Sequence, residues 1–295
     1  MKPIVSFAKK HPILSFYALT FTISWGLVLV LIAKNGMPAT MSQLNAQLPV
    51  AILAMLGGPS ISGLLMTAIV DGKTGFYELR SRLLKWRVNF GWYILAILIG
   101  PAVLIIAPLV IWLTLPNYSP GKFVTEVTTS LIVMGVVSGL VTGFCEELGW
   151  TGFVLPKLRL SYGILTTGLI MGVLWGAWHI LSNDIWAIHT YSGTLSPALK
   201  AILIGLSFLI GQLPAFRVLL VWVYDRTGSM PVIMIMHAGL SAASIIIGSL
   251  AMSDTTSAFL YGLFLPGVIF WIIIAVFVAV NGWKLPDKKR GQAII

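Results

Sequence analysis

The chain has 295 residues, 58% of them hydrophobic and only 9% charged, with a mean hydropathy of +0.95. Soluble domains carry about 25% charged residues, so this composition excludes an ordinary soluble fold and predicts a polytopic membrane protein. The net charge of +10 comes from basic residues scattered over separate loops, a pattern of membrane topology that speaks against a nucleic-acid partner.

A hydrocarbon core about 30 Å thick needs about 20 apolar residues in helix. Eight segments meet this, at roughly 13–33, 49–70, 91–115, 129–156, 163–182, 200–223, 230–250 and 259–281. They are too long and too apolar for barrel strands, so the expected fold is an all-α polytopic membrane protein of about eight transmembrane helices. The first segment follows Lys9, Lys10 and His11 but runs past signal-peptide length without a small-residue cleavage site, so it reads as a retained span. With the N-terminus inside, Lys34, Lys122 and Lys200 fall outside, 15 of the 19 basic residues fall inside, and Arg217 lies within a span. That asymmetry places both termini in the cytoplasm. Between the second and third spans, Gly75 to Val88 alternates leucines and Trp86 with Arg80, Arg82, Lys85 and Arg87, as a helix in the cytoplasmic interface would. No soluble domain, low-complexity tract or clear repeat interrupts residues 1–295, which read as one membrane domain. The lone Cys145 excludes a disulfide within the chain and reads as a packing residue.

Polar side chains at membrane depth are rare, costly and functional candidates. Glu146 and Glu147 lie together inside the run from Ser130 to Leu155. His179 sits in WGAWHI, His237 and Ser241 in MHAGLS, and Arg217 in PAFRVLL. A lone histidine in a span usually packs or bridges helices. Two acids and two imidazoles in three spans instead suggest one shared polar cavity. His237 and Ser241, four apart, share a helix face, and so do Trp175 and His179, which would set an aromatic wall beside the imidazole. Glu146 and Glu147 are about 100° apart around a helix, so only one is expected to point straight into the cavity.

The chain has no HExxH, no GxSxG and no Gly-rich phosphate loop. A carboxylate with imidazoles suits general-base activation of water, with His or Ser donors for the oxyanion. The same groups suit zinc or a proton relay in a transporter.

The segments EELGWTGFVLPKL, WGAWH and RTGSMPVIMIMHAGLS resemble the three blocks of the CPBP family, the type II CAAX prenyl endopeptidases and bacteriocin-processing (Abi) membrane proteases. The resemblance covers roughly 130–245 as a catalytic core, and it implies an intramembrane glutamic endopeptidase of about eight helices in the cell membrane. It implies that Glu146 is the water-activating base, His179 its partner, Glu147 the second acid, and His237 with Ser241 the oxyanion site. It implies no cofactor, with zinc as the less favoured alternative. The implied partners are the lipid bilayer and a membrane peptide or protein substrate, prenylated or bacteriocin-like. Two positions depart from EExxxR and HxxxN: Thr151 stands in place of Arg, and Ser241 in place of Asn. Thr151 leaves Glu147 short of a cation. Either Arg217 approaches it from the span before His237, or Arg217 snorkels to headgroups while a protonated Glu147 bonds Trp150, Thr151 or backbone; the second is preferred. The rival functions are a non-catalytic immunity or scaffold protein of the same fold and a proton-coupled transporter.

Overall fold

In hydrocarbon every backbone N–H and C=O must be met within the chain, so long apolar runs become helices. The computed structural model describes residues 2–115, 125–190, 195–248 and 256–280, and among them there is no strand. The basic tail Lys284–Arg290 and Lys122 lie outside the described residues. In chain order the helices are α1 Lys2–Lys10, α2 Pro12–Leu31, α3 Met41–Met66, α4 Gly72–Leu83, α5 Phe90–Thr114 and α6 Thr125–Gly149. They continue with α7 Leu155–Arg159, α8 Ile164–His179, α9 Pro197–Leu206, α10 Gln212–Thr227, α11 Met230–Gly248 and α12 Thr256–Val280. Eight stretches of these are long and apolar enough to cross a membrane, as the sequence predicts, and the protein is a multi-pass membrane protein.

Two boundaries differ from the sequence expectation. The second span begins at Met41 rather than 49, because Thr40 and Gln43 form a reciprocal cap: Gln43 N donates to Thr40 Oγ1 and Thr40 N donates to Gln43 Oε1. Pro49 therefore lies inside the helix instead of opening it. The interfacial helix is Gly72–Leu83, joined to α3 by a π turn, and residues 85–89 are not helical. Its basic residues do not all face headgroups. Arg82 turns inward and donates to the carbonyls of Thr151 and Gly152 at 3.4 and 2.9 Å. Those carbonyls belong to a π turn, Trp150–Val154, which follows the glutamates directly. π turns widen the helix locally and recur at functional sites.

Glycines bring the site helices together. Gly135, Gly139 and Gly143 on α6 face the backbone of α11, and Gly168, Gly172 and Gly176 on α8 face α10 and the turn before it. A Cβ at Gly143 would stand 2.4 Å from Met234 O, and one at Gly172 would stand 2.3 Å from Pro214 Cα. Small residues at such crossings let membrane helices approach closely. Gly143→Ala and Gly172→Ala are each expected to lower thermal stability in detergent by about 1–3 kcal/mol, the usual cost of overpacking. Gly26→Ala, where nothing lies within 4 Å of the added carbon, is the neutral comparison.

Candidate active site

Both glutamates are interior, with Glu146 2% and Glu147 0% exposed. The expectation that only one faces inward is corrected: each side chain enters a different polar cluster of the same buried site.

Glu146 is gripped by tryptophans. Its Oε2 accepts the indole N–H of Trp150 at 3.0 Å and of Trp175 at 2.8 Å. Trp150 is four residues on, one turn further along, and Trp175 comes from α8. No other hydrogen bond is made by this carboxylate among the described residues, so Oε1 remains available. A carboxylate fixed through one oxygen and open at the other is arranged to take a proton at a defined point.

Glu147 is saturated. Thr151 Oγ1 donates to its Oε2. Arg217 Nη1, from α10, donates to Oε1 at 2.9 Å and Oε2 at 3.0 Å. His237 Nδ1, from α11, lies 2.7 Å from Oε1. The carboxylate is charge-paired with a guanidinium and can only accept, so Nδ1 carries the hydrogen and Nε2 is turned away from Glu147. Arg217 is completely buried and forms an ion pair with Glu147. The preferred expectation that Arg217 snorkels is therefore overturned. α10 is buried over most of its length, including Phe216, Arg217 and Val218, so the guanidinium has no route to headgroups.

Trp175 joins the clusters. Its ring carries the Arg217 guanidinium at 4.4 Å and meets His237 edge-on with centroids 4.9 Å apart. It also lies 5.9 Å from the His179 ring, the expected aromatic wall. Trp178 and Phe208 close around His179 at 4.8 and 5.7 Å. His179 makes no direct bond to Glu146. Its Nδ1 pairs with Asn183 Oδ1 at 3.3 Å, and it lies within electrostatic range of Glu146 and His237. Ser241 is half-buried one turn beyond His237 and makes no hydrogen bond to the network among the described residues.

Sequence reasoning missed the indole N–H of Trp175 as a ligand of Glu146, and it missed Asn183, Arg82 and Tyr17. The i, i+4 spacings Glu146–Trp150, Glu147–Thr151 and His179–Asn183 are readable signals, whereas Trp175, Arg82 and Tyr17 come from distant helices and leave none. Asp184, which the sequence places near a span end, is buried at 1% exposure in the π turn Ile180–Trp186 that prolongs α8.

Residues 128–243 match the family model described as Rce1-like, type II CAAX prenyl endopeptidase Rce1-like. This part of the chain is similar to the Rce1-like family. No curated protein compared with the chain matches it. The matched segment contains both glutamates, His179, Arg217, His237 and Ser241. Tyr17, from α2, lies outside it.

Proposed function

We propose that the protein is a glutamic-type intramembrane endopeptidase that hydrolyses a peptide bond of a membrane-associated or prenylated substrate. The observation that carries this reading is Glu146, buried, fixed by two indoles through Oε2 and open at Oε1. Glu146 takes a proton from water as the water oxygen attacks the carbonyl carbon. His179 orients the water. His237, aimed by Glu147, and Ser241 beside it face the carbonyl oxygen, as the family pattern implies.

The donor set supports water activation without a metal. Glu147 is filled by Thr151, Arg217 and His237, and among the described residues no three His, Cys, Asp or Glu side chains come together to hold a metal ion. An apolar groove lined by Pro101, Leu140, Ile235 and Ala242 runs beside the helix carrying His237 and suits the lipid part of a substrate. Lys157 and Arg159 close the Glu-bearing span and pair with Asp71 and Asp225 at 2.7 and 2.9 Å. This basic end supports cleavage near the cytoplasmic leaflet of the cell membrane, with both termini on that side.

The test is purified protein in liposomes incubated with a library of membrane peptides, farnesylated and plain, with and without a chelator. New termini in the mass spectrum that form equally with the chelator present are expected. No cleavage of any peptide would overturn the enzyme reading in favour of a scaffold of the same fold.

A further inference from the structure

Glu146 is held between two indole rings, and each ring carries a second donor on its face. Tyr17 of α2 stacks on Trp150, with centroids 5.6 Å apart and planes 27° apart. The Arg217 guanidinium lies 4.4 Å from the Trp175 centroid. Tyr17 is 6% exposed and Arg217 not at all. Both keep unused capacity: the Tyr17 hydroxyl and Arg217 Nε and Nη2 have no hydrogen-bond partner among the described residues. The hydroxyl lies within electrostatic range of both Arg217 and Glu147. Buried donors left unmet are costly and rare. Three of them, carried on the two rings whose N–H groups hold Glu146, make a place for an acceptor oxygen.

The family's own donors are weaker here. Ser241 is half-buried and reaches less far than an amide, and His237 offers Nε2–H only when doubly protonated, since Nδ1 holds the hydrogen given to Glu147.

We infer that Tyr17 and Arg217 are fixed oxyanion donors of this site, a role that rests on the peptidase reading above. As the water oxygen bonds to the carbonyl carbon, Glu146 Oε1 takes the water proton and the C=O π pair moves onto the carbonyl oxygen. Negative charge thus leaves Glu146 and appears on the substrate. The Tyr17 O–H and a free Arg217 N–H donate to that oxygen from positions already fixed by the two indoles, so no reorganisation is needed. Collapse restores C=O and breaks C–N, and the proton on Glu146 passes to the leaving nitrogen.

Tyr17→Phe keeps the ring on Trp150 and removes only the hydroxyl. Its kcat is expected to fall about 100-fold, the usual effect of losing one oxyanion donor, with KM within about twofold. A second arm reads binding. In a farnesylated peptide with a CaaX terminus, the scissile amide is replaced by a tetrahedral, anionic phosphinate. Tyr17→Phe should weaken this probe by about the same factor. It should leave binding of the parent amide peptide unchanged when both are measured in the Glu146→Gln background. A kcat within about twofold of wild type, equal weakening of phosphinate and amide, or no phosphinate binding by wild type would overturn the assignment. If wild type cleaves nothing, the peptidase reading fails by itself. The phosphinate comparison still decides the donor, equal affinities counting against it.

Discussion

Glu146→Gln is expected to lose cleavage by about 10⁴-fold, the upper range for a removed general base, with its thermal unfolding unchanged. The amide carbonyl still accepts the indole N–H groups of Trp150 and Trp175, so the side chain stays seated while losing the ability to take a proton. Glu147→Gln should behave in the opposite way. That change removes the counter-charge of a completely buried Arg217 and leaves one carbonyl oxygen where donors from Thr151, Arg217 and His237 now share two. An uncompensated buried charge costs about 3–5 kcal/mol, so this variant should lose stability before any question of turnover arises. Two neighbouring glutamates would thus separate cleanly, one in the rate assay and one in the melting curve. Retention of more than about a tenth of the wild-type rate by Glu146→Gln would remove it from the chemistry.

The sequence carries this contrast only in part. Eight spans follow from apolar length alone, because hydrocarbon leaves the backbone no choice but helix. The depth of Glu146, Glu147, His179 and His237 follows from the same arithmetic. What cannot be read is rotation. The π turn at Trp150–Val154 resets which face each later residue presents, and no composition signal marks it. The second span starts earlier than apolar length alone marks it, because the capping pair Thr40–Gln43 lies in a more polar stretch. Tyr17 is separated from Trp150, which bonds Glu146, by more than a hundred residues and stacks on it only because α2 packs against α3 and α3 against α6. There Gly63 and Gly149 allow backbones to touch: a Cβ on Gly63 would lie 2.7 Å from Gly149 Cα. Pairing across helices is set by such contacts, which a single chain read in order does not display.

Arg217 is where that limit mattered most, and it yields the second large effect. The family pattern EExxxR supplies a cation from the same helix, four residues after the second glutamate. Here Thr151 occupies that place and Arg217 supplies the charge from α10, bonding both oxygens of Glu147. Arg217→Met should therefore destabilise the protein by about 3–5 kcal/mol, since it leaves Glu147 as a buried acid with only His237 and Thr151 as partners. Thr151→Arg alone should also be harmful, because two guanidinium groups would then compete for one carboxylate in a site where Thr151 is fully buried. Combined, the two changes return the cation to the helix of Glu147. The double variant Thr151→Arg/Arg217→Met is expected to melt above both single variants, while still lacking the Arg217 donor proposed for the oxyanion. Its stability should thus recover further than its turnover. Melting of the double variant at or below the worse single variant would show that Arg217 does not stand in for the missing residue. Full recovery of turnover would show that its charge pairing with Glu147, and not its free N–H edge, is what catalysis requires.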